Sequence, residues 1–258
     1  MKLIIDDDAQ TLVVTGAKES RTLALYSKET YELISEVWLK VGWNEKYPYT
    51  FTWLGRPIIQ SPEDMMRAQE VLYQVRPDVI IETGIAHGGS LIFYASLCEA
   101  MGNGRVIGVD IEIRPPNREA LENHRLAPRI TLIEGSSIDD NTISQVKNQI
   151  GGKERVLVIL DSCHTYAHVS AELAAYAGLV TVGSYIVATD GSMEFLADVP
   201  RGQPSWKVDN PARAARDFAA KHTNFVLESP AWQFNESRLE KANTYWTSAW
   251  LRKVMQAS

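Results

Sequence analysis

Acidic residues follow five of the hydrophobic segments in this chain. They are Glu82, Asp110, Asp139, Asp161 and Asp190. In a parallel sheet covered by helices, ligands bind at the carboxyl ends of the strands, so these side chains are expected to face one site. Carboxylates that crowd together need a cation or protons to offset their charge. The pattern therefore indicates cation-assisted or acid–base chemistry at one edge of a predicted sheet.

The segment 161–168, DSCHTYAH, adds two histidines to the fourth of these acids. His164 and His168 are four residues apart, so they share a face wherever the segment is helical. With Asp161 they match the spacing of a metal-binding array, which Asp190 would extend. Two carboxylates favour a hard ion such as Mg²⁺, whereas two histidines and one carboxylate would indicate non-haem iron.

Asp161 and His164 are the predicted catalytic residues. His164 is predicted to act as the general base, because the ordinary pKa of imidazole, about 6.5, suits removal of a proton from a hydroxyl group. Asp161 and Asp190 are the predicted metal ligands. His168 is predicted to be a histidine whose hydrogen bonds are satisfied within a helix, with a metal-ligand role as the alternative.

The glycine-containing loop after Val79–Thr83 predicts a nucleotide-like ligand. It reads G-x-x-x-G-G, which matches neither the dinucleotide-binding G-x-G-x-x-G motif nor a P-loop. Glu82 is expected near the cationic amino-acid end of S-adenosylmethionine, and Asp110 is expected to accept hydrogen bonds from its ribose. For Asp139, adenine recognition and capping of the following helix are both open. The predicted cofactor-binding residues are Glu82, Thr83, Gly84, Gly88, Ser90, Asp110, Ser137 and Asp139.

Strand and helix patterns alternate from Ser61 to about Glu228. Continuous apolar runs such as Val156–Leu160 predict strands that are buried on both faces, and hence a parallel sheet between two layers of helices. The tail Thr244–Val254 is predicted to add a final antiparallel strand. The sequence thus predicts an α/β protein with a doubly wound, Rossmann-like seven-stranded sheet.

Residues 1–60 lack this alternation and are predicted to form an N-terminal extension, with residues 61–258 as the catalytic domain. An amphipathic helix is predicted over Arg21–Leu39, followed by an aromatic-rich segment. Such an extension could cover the cofactor, contact the acceptor, form a subunit interface or simply pack on the core.

Composition favours a globular protein that binds no nucleic acid. The 258 residues carry a net charge of −6, and 45% of them are hydrophobic. This charge argues against a nucleic-acid-binding surface, and no apolar run is long enough to span a bilayer. Cys98 and Cys163 lack C-x-x-C spacing and are predicted to be reduced thiols. We expect a cytoplasmic protein with no membrane partner.

A Pro- and Gly-containing segment, 198–207, is predicted to form a loop over the same sheet edge. Arg201 is a candidate ligand for a phosphate of a nucleotide-sugar, and Trp206 is a candidate for stacking on a sugar or base. The alternative for both residues is a structural crossover loop.

Several motifs together resemble one enzyme family. The segments IETGIAHGGS, GRVIGVDIEIRP, ITLIEGSSID, LDSCHTYAHV and SYIVATDGSMEFLADVPRG are similar to the family named after cephalosporin hydroxylase and rhamnosyl O-methyltransferase. The resemblance implies a class I S-adenosylmethionine-dependent O-methyltransferase that uses Mg²⁺ or Ca²⁺, and a homo-oligomer.

In that family an Asp and an acidic pair bind the metal, and a His acts as base; Asp161, Asp190 and His164 stand at those positions. Thr189 stands where the first acid of the pair is expected, and Glu194 is the candidate substitute.

The predicted function is methylation of a hydroxyl on a rhamnose-like, nucleotide-activated deoxysugar in natural-product (antibiotic) biosynthesis. The acceptor is thus predicted to be a small-molecule sugar or nucleotide-sugar. Three alternatives remain: a metal-dependent hydroxylase, an NAD-dependent oxidoreductase and a non-catalytic cofactor-binding partner subunit. The oxidoreductase would need the G-x-G-x-x-G motif that this sequence lacks.

Overall fold

A computed structural model of the protein describes residues 2–16 and 19–255. The chain begins with strands β1 (Lys2–Asp6), β2 (Thr11–Thr15) and β3 (Ser20–Ala24), followed by helix α1 (Lys28–Asn44). A short hairpin of β4 (Phe51–Trp53) and β5 (Arg56–Ile58) leads into helix α2 (Pro62–Val75).

Strands and helices then alternate along the chain. They are β6 (Val79–Thr83), α3 (Gly89–Met101), β7 (Arg105–Asp110), α4 (Pro115–Glu122), β8 (Ile130–Glu134), α5 (Asp140–Asn148), β9 (Val156–Leu160), α6 (Tyr166–Tyr176), β10 (Tyr185–Ala188), α7 (Met193–Leu196), α8 (Pro211–Lys221), β11 (Phe225–Leu227) and β12 (Trp250–Lys253).

The central sheet has seven strands in the order β11-β12-β10-β9-β6-β7-β8. Strand β12 lies antiparallel between β10 and β11, and the pairings from β10 to β8 are parallel. Separate buried clusters pack on the two faces of the sheet, one around α2 and α3 and the other around α5, α6 and α8. The predicted doubly wound α/β fold with a final antiparallel strand is confirmed.

Strands β6 and β9 lie side by side at the centre of this sheet, and every residue of both is buried. Their continuous apolar sequences are explained by helices covering both faces. Helix α6, which follows β9, begins at a side-chain cap, because the Thr165 hydroxyl accepts a hydrogen bond from the backbone N–H of His168. Helix α3, which follows β6, begins instead at Gly88, which has a left-handed backbone conformation and no side-chain cap. Because these two strands are parallel neighbours, the acidic residues at their carboxyl ends lie at one edge of the sheet.

The N-terminal region differs from its prediction. The helix expected over Arg21–Leu39 begins only at Lys28, where Ser27 caps it, and Ser20–Ala24 forms β3 instead. Strands β1, β2 and β3 make an antiparallel sheet, in which β2 buries Leu12 and Val14 on one face. Pairing with β2 therefore overrides the helical pattern at residues 20–24, since pairing partners decide strands more than local preference does.

No helix among the described residues is both long and apolar enough to cross a membrane.

Candidate active site

The carboxyl ends of β9 and β10 bring three titratable side chains together. One ligand atom from each of Asp161, His164 and Asp190 lies within 4.8 Å of the other two. His164 Nε2 is 3.5 Å from Asp190 Oδ2, and all three side chains are partly buried. Asp190 has φ +57°, a backbone conformation that non-glycine residues seldom adopt and that is concentrated at functional sites.

Electrostatics at this cluster favour a bound cation or proton. Burial, followed by the charge of Asp190, raises the pKa of Asp161 to about 7. Burial also raises the pKa of Asp190, while His164 lowers it. Two carboxylates with one imidazole form an oxygen-rich donor set, which suits a hard divalent ion better than a soft one. The residues present therefore fit a Mg²⁺ or Ca²⁺ ion.

Two polar side chains hold the Asp161 carboxylate. The fully buried Thr189 lies with its hydroxyl within hydrogen-bonding reach of Asp161 Oδ1 and of the Leu160 carbonyl oxygen. Gln60 Nε2 donates to Asp161 Oδ2 at 2.8 Å. Thr189 therefore stands where an acid was expected, but its hydroxyl contacts the carboxylate of Asp161. Sequence reasoning did not identify Gln60, because it precedes α2 in an unremarkable turn, 101 residues from Asp161.

Glu194, the candidate substitute for a third acid, lies outside this cluster. Its two carboxylate oxygens accept hydrogen bonds from the Arg216 guanidinium group, at 2.8 and 3.1 Å. Both side chains of this ion pair are partly exposed, and the Glu194 carboxylate is engaged by Arg216. The structure does not bring Glu194 together with Asp161 and Asp190.

A cavity of about 310 Å³ opens beside the cluster, beneath the glycine-containing loop after β6. Asp161 lines it, so the cavity and the cluster share one carboxylate. Four of the eight predicted cofactor-binding residues also line it, namely Gly84, Ser90, Asp110 and Ser137. The remaining four predicted residues, Glu82, Thr83, Gly88 and Asp139, do not line it.

Glu82 lies buried behind this wall rather than in it. One carboxylate oxygen accepts a hydrogen bond from Ser90 Oγ at 2.8 Å, and the other has no partner among the described residues. Burial raises the pKa of Glu82 well above its ordinary value, and the charge of Asp161 adds to the effect. Thr83 is likewise fully buried, and its Oγ1 has no partner there. Glu82 and Thr83 are therefore buried residues that do not line the cavity.

The loop after β6 is shaped by its glycines and by Asp110. Gly84 has φ +92°, and a Cβ atom there would overlap the Asp161 carbonyl oxygen. Asp110 Oδ2 accepts hydrogen bonds from the backbone N–H groups of Ile85, at 2.7 Å, and Ala86, at 3.2 Å. Asp110 therefore fixes the loop while it lines the cavity. Gly88, with φ +82°, forms the turn into α3.

Asp139 caps α5. Its Oδ2 accepts hydrogen bonds from the backbone N–H groups of Asn141 at 3.1 Å and Thr142 at 3.4 Å. Of the two alternatives for this residue, helix capping is the one seen in the structure.

His168 contacts serines rather than the acidic cluster. Its Nε2 lies 3.1 Å from both Ser137 Oγ and Ser162 Oγ, and Ser162 donates to the buried Glu172 at 2.7 Å. His168 lines the cavity, a role that its position in the sequence did not indicate. Among the described residues the two histidines do not share a metal site, so the arrangement expected of a non-haem iron hydroxylase is not formed.

Arg201 and Trp206 lie away from both the cavity and the cluster. The backbone N–H and guanidinium group of Arg201 donate to Asn44 at the end of α1. Trp206 packs edge-on against Trp43, with ring centroids 5.8 Å apart, and contacts the hydrophobic core. The structure therefore gives both residues contacts that join the 198–207 loop to α1.

Two rhamnosyl O-methyltransferases resemble this chain in sequence. The protein from Mycobacterium leprae (strain TN) is 33% identical over 156 residues, which are 59% of this chain and 65% of that protein. The protein from Mycobacterium tuberculosis (strain ATCC 25618 / H37Rv) is 32% identical over 146 residues, 55% of this chain and 57% of that protein. The matches thus span less than two thirds of the length of these relatives.

Solved structures share the fold at low sequence identity. CmcI with Mg and SAM has a TM-score of 0.52 and 19% identity, covering 80% of this chain and 78% of that one. MycE from the mycinamycin biosynthetic pathway, with Mg and SAH, has a TM-score of 0.51 and 18% identity, covering 93% and 68%. These similarities show that the chain has the class I methyltransferase fold.

The family resemblance of the motif segments is confirmed on a wider span of the chain. The model of the Rhamnosyl O-methyltransferase/CmcI family matches residues 45–254, which include every strand of the central sheet together with Asp161, His164 and Asp190. This protein therefore belongs to the Rhamnosyl O-methyltransferase/CmcI family.

Proposed function

We propose that this protein is an S-adenosylmethionine-dependent O-methyltransferase that uses a divalent cation, Mg²⁺ or Ca²⁺, to methylate a hydroxyl of a rhamnose-like deoxysugar. One observation carries the proposal: Asp161 belongs both to the cavity under the glycine-containing loop and to the cluster with His164 and Asp190. A methyl donor in the cavity and an acceptor hydroxyl at the cluster would then be neighbours.

The cavity fits a cofactor that carries positive charge at one end. Asp110 and Asp161 line it, and Glu82 lies behind Ser90 with one carboxylate oxygen that has no partner among the described residues. Ser137 and His168 add further polar groups to the wall. Gly84 lets the loop after β6 pack directly on the Asp161 backbone beside the cavity, because any side chain at that position would overlap the Asp161 carbonyl oxygen.

Asp161 and Asp190 would hold the cation, with His164 beside them. When bound, S-adenosylmethionine supplies the methyl group and Mg²⁺ supplies a Lewis acid that lowers the pKa of the acceptor hydroxyl. His164 takes the proton from that hydroxyl at Nε2, and Asp190, 3.5 Å away, stabilises the imidazolium that results. Asp161 orients the acceptor against the cofactor cavity, and positioning of this kind accounts for much of the rate.

The acceptor has a candidate location beyond Asp190. A second cavity of about 440 Å³ is lined by Ser192 and Phe195, which follow Asp190 in the chain, and by residues of α1. It brings hydroxyl and apolar groups together, as the hydroxyls and methyl group of a deoxysugar require. The nucleotide-activated form of that sugar, the biosynthetic role, the cytoplasmic location and a homo-oligomer remain predictions.

Calorimetric titration of S-adenosylhomocysteine, with Mg²⁺ and then with EDTA, tests the cofactor first. Binding in both solutions is expected, because the cavity is formed largely by the loop after β6. Absence of binding in both would refute the methyltransferase proposal. Methyl transfer is then measured on methyl α-L-rhamnoside and on TDP-L-rhamnose, with and without Mg²⁺. Methylation of either sugar that is lost in EDTA supports the proposal.

The variant His164→Ala tests the proposed base. Turnover should fall by roughly 10²- to 10⁴-fold, the usual contribution of a positioned general base, with little change in S-adenosylhomocysteine affinity. His222→Ala is the matched control, because His222 lies at the end of α8 and stacks on Phe218. Near-full turnover in His164→Ala would remove this residue from the mechanism.

A further inference from the structure

Gln60 links the candidate metal cluster to the core of the protein. Its side chain is buried, with 7% of the residue's surface exposed, and both ends of its amide are used. Nε2 donates to Asp161 Oδ2 at 2.8 Å, and Oε1 accepts a hydrogen bond from the indole Nε1 of Trp246 at 3.2 Å. Gln60 thus lies between a carboxylate of the cluster and an aromatic side chain near the C-terminus.

Chemistry allows one orientation of this amide. An indole N–H can only donate a hydrogen bond and an ionised carboxylate can only accept, so the amide oxygen must face Trp246 and the NH₂ group must face Asp161. Reversing the amide would set donor against donor and acceptor against acceptor in a buried place. Gln60 is therefore held in one orientation by two partners that are far apart in sequence.

Trp246 is itself fixed to the start of α2. Its ring is buried, and its backbone N–H donates to Thr244 Oγ1 at 2.9 Å. The buried Asp64 accepts hydrogen bonds from the Thr244 hydroxyl and from the backbone N–H of Tyr245, the latter at 3.0 Å. The anchor of Gln60 is consequently a rigid part of the fold and not a mobile surface side chain.

We propose that Gln60, anchored by Trp246, is a positioning residue that fixes the Asp161 carboxylate for cation binding. The inference rests on the proposed function, in which Asp161 is a metal ligand. Gln60 restrains Oδ2 while Thr189 lies against Oδ1, so rotation of the carboxylate breaks a hydrogen bond at each oxygen. Partners of metal-ligating carboxylates act in this way, and their loss typically lowers metal affinity or activity by about 10- to 100-fold.

The variant Gln60→Met tests the inference, because methionine keeps the length of the side chain and removes both hydrogen bonds. It leaves a buried indole N–H without a partner, so the double variant Gln60→Met/Trp246→Phe, which removes that donor too, is measured alongside. Trp246→Phe alone removes only the anchor. Trp250→Phe is the matched control. The Trp250 ring packs in the hydrophobic core with its centroid 5.7 Å from that of Trp246, whereas the hydrogen bond to Gln60 comes from Trp246.

Two titrations of the full chain separate the possible roles of Gln60. MgCl₂ is titrated into protein saturated with S-adenosylhomocysteine, and S-adenosylhomocysteine is titrated into protein in EDTA. We expect Mg²⁺ affinity to fall by about 10- to 100-fold in both Gln60 variants and by less in Trp246→Phe. S-adenosylhomocysteine affinity should stay within about twofold, because the proposed action passes through Asp161, and Trp250→Phe should match the wild type.

Each contrary result has its own meaning. Wild-type Mg²⁺ affinity in both Gln60 variants would overturn the inference and leave the proposed function intact. A parallel loss of S-adenosylhomocysteine affinity would also overturn it, since Gln60 lines the cofactor cavity and would then act as a cofactor contact. Absence of Mg²⁺ binding to the wild-type chain would refute the proposed metal site itself, and the inference with it.

Discussion

The variant Asp190→Asn is expected to be more stable than the wild type without metal and less stable than the wild type with Mg²⁺. Ligand oxygens of Asp161 and Asp190 lie within 4.8 Å of each other. At an effective dielectric constant of about 20, two unit charges at that separation repel by about 3 kcal/mol. His164 offsets part of this repulsion when it is protonated. Without metal, near pH 8, we therefore expect the variant to be more stable than the wild type by roughly 1–3 kcal/mol.

With Mg²⁺ the order should reverse. A ligand at a thousandfold excess over its Kd stabilises a folded protein by about 4.1 kcal/mol, and the wild type should gain this while the variant gains little. In a domain of this size each kcal/mol shifts the Tm by about 2–4 °C, so the two effects are measurable. Burial raises the pKa of both carboxyls, and the charge of Asp190 raises that of Asp161 further, so the charged forms of both groups destabilise the fold.

Thermal unfolding in EDTA and in Mg²⁺ measures both effects. Groups whose pKa is raised in the folded state favour folding at low pH and lose that contribution as pH rises, so the gain of the variant in EDTA should shrink near pH 5. Asp198→Asn is the control, because Asp198 is exposed and forms a surface ion pair with Lys207. A variant that is less stable than the wild type in EDTA, and that Mg²⁺ still stabilises fully, would refute the reasoning.

Three further predictions concern stability. Burial raises the pKa of Asp64 from 3.8 to about 6, so the free energy of unfolding should fall by roughly 3 kcal/mol between about pH 4 and pH 7, and Asp64→Asn should flatten that urea-denaturation profile. Gly84→Ala should lower the Tm and weaken S-adenosylhomocysteine binding, because its Cβ would overlap the Asp161 carbonyl oxygen. The control Gly102→Ala, with φ +69° and open space around it, should lower the free energy of unfolding by only about 1–2 kcal/mol, and equal losses of stability in the two variants would contradict the predicted overlap. Lys253→Met should destabilise the protein by about 1–3 kcal/mol in urea, because the buried ammonium donates to two carbonyls after α6; an unchanged midpoint would contradict this.

Most of the central sheet could be predicted from local pattern. An apolar run such as Val156–Leu160 is shorter than a typical helix. It also lacks the alternation of apolar and polar residues of a half-exposed strand, so it indicates a buried parallel strand. The antiparallel β12 followed from an aromatic tail. The N-terminal sheet was missed because residues 20–24 become a strand only through pairing with β2, and a helical pattern runs across them.

The candidate site was predicted in part. Asp161, His164 and Asp190 do come together, because strand ends at one edge of a sheet are neighbours whatever the loops do. Glu194 does not join them, since Arg216 on α8 takes its carboxylate. Arg201 and Trp206 contact α1 and its neighbours, which no local pattern indicates.

The sequence by itself determined the order of strands and helices from Ser61 to about Glu228, the glycine turn after β6 and the set of acids at the strand ends. Those features depend on residue periodicity, on backbone conformation and on chain direction, all of which are local. Only the tertiary structure decided which polar partner each acid has: the loop amides for Asp110, Arg216 for Glu194, and Gln60 with Thr189 for Asp161. Hydrogen bonds between residues far apart in sequence exist only once packing has brought both groups out of water, so no local pattern encodes them.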